Sequence, residues 1–349
     1  ESERYYFLEE RYPEYGNLVP RDIATREIFD VCVNDGLSVE SDKQCVYLDL
    51  THIPREELDR KLGGILNIYE KFQGDNPRDV PMKIFPAVHY SMGGLWADYT
   101  PGTELPASSP NSPWRLPHHG GNRLGANSLL SCIFTGLFAA PGIKKMIGSL
   151  DASTTDECFD SLHQHAQAAK QADHDALLKQ AGEDGENPYE LHHLLGEEMT
   201  KAATVVRRND QIEAALGVVY DLAERAQRCS LSDTDAWSNQ NVVFTKALRD
   251  MFPLAKALLK GALARDECRG AHFKPDFALK KNDKWLKTSV ATFDKGEPTI
   301  SYEEVDTSLI PPRPRLYGMV GAEEIAEVWK ERQAAKDAAA AGQPALAGS

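Results

Sequence analysis

The segment from Asn127 to Ala140 constrains the fold most, because it is apolar on nearly every side of a helix: Leu129, Leu130, Cys132, Ile133, Phe134, Leu137 and Phe138 leave no polar face. A helix of that kind is expected to be fully buried. Its start lies at a glycine-bearing turn, Gly120-Gly121-Asn122-Arg123-Leu124-Gly125-Ala126-Asn127-Ser128. Free backbone N–H groups and the helix dipole at such a start hold an anion or an electron-rich ring edge. The alternative reading is a tight connection in which glycine is needed for positive φ.

Around this segment the periodicity changes several times. Pro20-Arg21-Asp22 heads a segment with Ile28, Val31 and Cys32 at helical spacing, which places Arg21 at a helix entrance. Cys45 to Leu50 alternates as a strand. Leu58, Leu62, Ile65, Tyr69 and Phe72 repeat as an amphipathic helix ending near Gly74, and Met82 to Phe85 is a short extended piece. Residues 99–121 are rich in Pro, Ser and Gly and read as a loop, and 151–186 carry only a weak helical pattern. Long helical patterns follow at 188–206, 208–229 and 241–264, the last expected to kink at Pro253. Trp285 to Phe293 and Pro298 to Val305 read as strands, and Ala334 to Ser349 as a low-complexity tail.

With 349 residues, 42% of them hydrophobic, the chain can bury a large core and make two or three domains. The net charge of -14 argues against nucleic acid or an anionic membrane surface as partner, because both are held mainly by Lys and Arg. An anionic ligand must then be held by local cations. The six cysteines stand singly, so neither a disulfide framework nor a zinc or iron–sulfur site is suggested, and a reducing location is the simple reading. No apolar run reaches membrane-spanning length. The aromatic opening, Tyr5, Tyr6, Phe7, Tyr12 and Tyr15, reads as the interior of something longer.

Three cationic or titratable residues stand out. Arg123, in a turn beside an apolar helix, wants a carboxylate partner or an anionic ligand. His89 lies between apolar Phe85–Val88 and the turn Met92-Gly93-Gly94, as a hydrogen-bonded core residue or a functional one. Adjacent histidines at 118/119 and 192/193 point apart on a strand or helix, so no metal site is expected.

Taken together, Tyr15-Gly16-Asn17-Leu18-Val19-Pro20-Arg21-Asp22-Ile23-Ala24-Thr25-Arg26, Val46-Tyr47-Leu48-Asp49-Leu50, Pro86 to Trp96, His119 to Leu130 and Glu267-Cys268-Arg269-Gly270-Ala271-His272 occur in the order found in succinate dehydrogenase and fumarate reductase flavoprotein subunits, which the chain resembles over about residues 1–330. The form His89-Tyr90-Ser91-Met92-Gly93-Gly94-Leu95-Trp96 looks most like the menaquinone-linked bacterial branch.

The resemblance implies an α+β or α/β fold, the C-terminal portion of an FAD-dependent oxidoreductase. Residues 1–78 would be part of a capping domain, 79–150 the end of an FAD-binding domain, 151–270 a helical domain, 271–330 a small closing domain and 331–349 a disordered tail. It implies that succinate and fumarate are interconverted, with His89 and Arg123 binding the dicarboxylate, Arg21 shuttling the proton, and Asn127, Ser128 and Leu129 meeting the flavin of FAD. Arg26, about one turn along, is a candidate for the neighbouring cation that an acid–base arginine requires. Arg269 and His272 match a motif for which structural or inter-subunit roles are expected. Implied partners are an iron–sulfur subunit and a membrane-anchor cytochrome b, on the cytoplasmic side of the inner membrane.

The sequence also departs from the family. It has no strand-G-x-G-x-x-G-helix, and Pro106-Ala107-Ser108-Ser109-Pro110-Asn111 stand where a Gly-Glu segment is usual. Gly121 replaces the usual Ala, a change expected to be tolerated. L-aspartate oxidase and a non-catalytic interaction module are the competing readings.

Overall fold

The computed structural model describes residues 4–89, 92–95, 119–123, 127–148, 156–180, 185–235, 237–277, 282–308 and 334. The departure at Pro106–Asn111 and the tail beyond residue 334 lie outside the described residues, as does His118. The chain divides into two compact units, residues 1–89 and 90–349.

In the first unit a short helix α1 (Phe7–Arg11) precedes α2 (Arg21–Phe29), which starts directly after Pro20 and runs into a π-turn over Asp30–Asn34. Strand β1 (Val46–Leu48) pairs antiparallel with β2 (Met82–Ile84), Val46 opposite Ile84. Between them runs α3 (Arg55–Gln73), stopped by Gly74 at φ +85°, a left-handed position that glycine occupies without strain. Val31, Cys32 and Val46 form one small core with Ile28, Ile84 and Phe85. Leu58, Leu66 and Met82 form another with Leu62 and Tyr69. The mixed helix-and-strand character expected for this stretch is present. The inward face of α3 is turned slightly from expectation, though: Leu66 is buried, while Ile65 and Phe72 are exposed.

α1 is fastened to α2 by charge. Arg11 Nη1 donates to Glu27 at 2.5 Å and to Asp30 at 3.0 Å, Nη2 donates to Asp35 at 2.8 Å, and Tyr12 donates its hydroxyl hydrogen to Glu27 at 2.8 Å. Burial works against the Arg11 charge, but the Glu27 hydrogen bond and charge outweigh it and raise the pKa.

The second unit is mainly helical: α4 (Asn127–Ile147), α5 (Asp160–Lys179), α6 (Pro188–Ala203), α7 (Asn209–Arg225) and α8 (Gln240–Leu263). Leu191 and Leu195 of α6, Ile212, Val219 and Leu222 of α7, and Leu248, Phe252 and Leu259 of α8 make its principal core. Asn187 and Asn239 cap α6 and α8 by accepting from Tyr189 and Val242 amides. α8 stays helical through Pro253. A short α9 (Asn282–Trp285) leads into the hairpin of β3 (Lys287–Asp294) and β4 (Glu297–Glu304), in the region read as two strands.

Two helices differ from expectation. α5 is a full helix although its pattern is weak, because Ala, Gln, Lys and Leu favour helix intrinsically even where only Leu177 is buried. α4 was expected to be buried all round. Instead Ser131, Thr135 and Ala139 form its buried face, while Leu129, Leu130, Ile133, Phe134, Leu137 and Phe138 are exposed. The described residues cover α4 on its small-residue side alone.

Candidate functional site

The sequence-predicted residues fall in both units. Arg21 is the first residue of α2; its side chain is exposed and forms no hydrogen bond or ion pair among the described residues. One turn on, Arg26 faces Asp22 at 3.7 Å. His89 is exposed at the end of the first unit, beyond β2.

The second unit assembles the glycine turn. Gly120 has φ +53°, so the tight-connection reading holds at that residue. His119 turns its ring to α4, where Nε2 lies 3.3 Å from Ser131 Oγ, and that hydroxyl donates to the Ser128 carbonyl at 2.8 Å. Burial first, and the Arg123 cation second, lower the His119 pKa, which favours the neutral ring. The Arg123 amide donates to Met92 Sδ at 3.0 Å, tying together the two glycine-bearing stretches of this unit, and its side chain is half-buried.

At the start of α4, Asn127 and Ser128 are half-buried and Leu129 is exposed, with no acidic residue in the first turn. The first N–H groups of a helix have no intrahelical acceptor. N–H groups beside an uncharged apolar surface suit a planar, electron-rich group.

The far side of the turn meets the segment Arg265 to Lys274. The Ala271 amide donates to the Gly121 carbonyl at 2.9 Å. His272 is held by both nitrogens: Nδ1 lies 2.7 Å from Arg207 Nη1 and Nε2 lies 2.8 Å from the Arg265 carbonyl. A guanidinium can only donate and a carbonyl can only accept, so Nε2 carries the hydrogen. Burial, then the Arg207 cation, push the His272 pKa down to about 4, outweighing the opposing Arg265 carbonyl bond. Glu267, fully buried, accepts from Arg265 Nε at 2.6 Å and from Arg269 Nε at 2.9 Å. Arg269 and His272 carry a sequence signal through the Glu267–His272 motif. Arg207 carries none, because its partner is distant in sequence.

Residues 3–107 match the model of an FAD binding domain, and residues 192–317 match that of the fumarate reductase flavoprotein C-term. The succinate dehydrogenase flavoprotein subunit of Bacillus subtilis is 49% identical over 318 residues, 90% of this chain and 53% of that protein. The fumarate reductase flavoprotein subunit of Haemophilus influenzae is 29% identical over 329 residues, 91% of this chain and 53% of that protein. Among solved structures, a variant of the E. coli quinol fumarate reductase superposes with a TM-score of 0.77 at 25% identity, over 88% of this chain and 54% of that one. The chain thus spans about half the length of the relatives it matches.

Proposed function

The chain belongs to the succinate dehydrogenase and fumarate reductase flavoprotein family, and from that premise we propose that its residues grip and protonate a four-carbon dicarboxylate in the interconversion of succinate and fumarate. The observation that carries the reading is the half-buried Arg123 on a turn held by α4, Met92 and the Arg265–Lys274 segment. An arginine carried on such a turn can present two parallel N–H donors to a carboxylate, a charge-assisted pair stronger than a neutral hydrogen bond. His89 binds the other carboxylate. Arg21, at the entrance of α2, gives or takes the proton at a central carbon.

FAD is the cofactor of this family, and when bound it supplies two-electron redox chemistry at the central carbons. Asn127, Ser128 and Leu129 are the residues of this chain that would hold its ring system, through N–H groups and one exposed apolar side chain. Arg123 and His89 contribute orientation, which lowers the barrier by fixing the reacting carbon in advance. Arg21 contributes proton transfer, and its role requires a neutral guanidine in part of the cycle.

Electrons would pass to an iron–sulfur subunit and then to quinone through a membrane-anchor cytochrome b. Attachment would run through those partners, at the cytoplasmic face of the inner membrane; among the described residues, no helix is long and apolar enough to cross a membrane. The test is a flavoprotein of full family length carrying this sequence, assayed for bound flavin and for fumarate-dependent oxidation of a reduced viologen dye. Flavin with activity lost in Arg21→Ala and His89→Ala supports the assignment. Activity near wild type in Arg21→Lys or Arg21→Ala, with His89→Ala inert, removes Arg21 from the proton step.

A further inference from the structure

We propose that the loop from Arg265 to Lys274 is the positioning element for Arg123, acting through a glycine-on-glycine crossing of Gly270 over Gly121. The inference rests on Arg123 being a carboxylate clamp.

On the Gly270 side the crossing is too close for any other residue. Gly270 sits at φ +59°, and a Cβ there would lie 2.0 Å from the Gly121 carbonyl oxygen, 2.3 Å from its carbon and 2.9 Å from Asn122 Cβ. A Cβ on Gly121 would lie 3.0 Å from Arg269 Cγ and 3.4 Å from the Arg269 carbonyl oxygen. The two backbones therefore touch two residues before Arg123, and the Ala271–Gly121 hydrogen bond fixes their register.

The loop on the other side of the crossing is braced. Arg269 and His272 exchange backbone hydrogen bonds at 2.8 and 3.1 Å, closing a tight turn. The His272 ring ties that turn to Arg207 and to the Arg265 carbonyl. Arg207 reaches back to the end of α6, donating from Nε to the Ala203 carbonyl at 2.9 Å, while its amide donates to the Phe273 carbonyl at 2.9 Å. Lys274, fully buried, donates to the Leu263 carbonyl at the end of α8 and to Asp266, at 3.0 and 3.1 Å. Buried Glu267 holds Arg265 and Arg269 together. The bracing reaches the ends of two core helices, α6 and α8, so the position of the Arg123 turn is set by the helical core as well as by α4.

Bidentate recognition of a carboxylate tolerates little displacement, and a shift of about 1 Å from a remote change can cost up to about a hundredfold. Gly270, Arg269 and Glu267 are thus positioning residues, acting through the turn.

The test uses a flavoprotein of full family length carrying this sequence, with malonate binding read by calorimetry and bound flavin per chain measured alongside. Gly270→Ala and Glu267→Gln are each expected to weaken malonate binding by about tenfold or more at wild-type flavin content. Arg123→Lys, which loses the fork, is expected to weaken it too. Adding either loop change to Arg123→Lys should cost less than about a further twofold, because residues acting through one clamp do not add independently. A loop acting only in general stability would leave malonate affinity unchanged, or would multiply in full with Arg123→Lys; either result overturns the inference. If Gly270→Ala does not fold, Glu267→Gln decides. If Arg123→Lys binds malonate as wild type does, the clamp reading falls and this inference with it. If Arg123→Lys weakens binding and the loop variants do not, the inference alone falls.

Discussion

Ala271 donates its amide hydrogen to the carbonyl of Gly121 at 2.9 Å, although the two lie far apart in sequence. The glycines at this crossing should differ sharply in tolerance. Gly270→Ala combines a left-handed φ with a Cβ driven into backbone, and is expected to destabilise by about 3 kcal/mol or more. Gly121→Ala meets chiefly the flexible Arg269 side chain and should cost about 1 kcal/mol or less. Urea unfolding of both variants checks this; equal losses would contradict it.

His272 makes stability depend on pH. Its folded pKa of about 4 lies below the ordinary value of 6.5, so the unfolded chain binds more protons between those limits. The contribution is complete above pH 6.5, declines as pH falls, and is lost below about 4, on the order of 3 kcal/mol in all. Unfolding curves measured across that window should slope more steeply for wild type than for His272→Gln. Parallel curves would count against a neutral, doubly bonded ring.

Arg11 is the cation of a network in which Glu27 is fully buried. Arg11→Ala strips that carboxylate of its counter-ion and should cost about 3–5 kcal/mol. Arg55→Ala removes an exposed pair with Asp79 and should cost less than about 1 kcal/mol. Denaturant titration of the two variants gives the comparison.

Glu297 anchors the β3–β4 hairpin to the helices, accepting from Lys256 and Tyr220 at 2.7 Å each and from Lys260 at 3.1 Å. The Lys256 hydrogen bond, followed by those of Tyr220 and Lys260, lowers its pKa to about 2. The tie therefore persists at neutral pH and fades as pH falls below about 4.5 toward 2. Glu297→Gln should speed amide exchange across 287–304 while leaving α7 and α8 protected.

Much of the fold is legible in residue pattern because local chemistry sets it. Pro20 starts α2, Gly74 ends α3, and the strand patterns near 285–293 and 298–305 form a hairpin. The exposed flank of α4 was not legible: periodicity reports how apolar Leu129 to Phe138 are, not what covers them. In the site, glycines and an isolated arginine mark the turn from Gly120 to Arg123, and the Glu267–His272 motif marks the loop that meets it, but the tie of that loop to Arg207 through His272 joins segments distant in sequence, which no local pattern encodes.

The most direct test of the dicarboxylate reading is fumarate-dependent oxidation of a reduced viologen dye by a flavoprotein of full family length, comparing wild type with Arg123→Ala. Loss of a bidentate charge-assisted contact should lower kcat/KM by about a hundredfold or more, with bound flavin unchanged. Wild-type kcat/KM in Arg123→Ala would contradict the account.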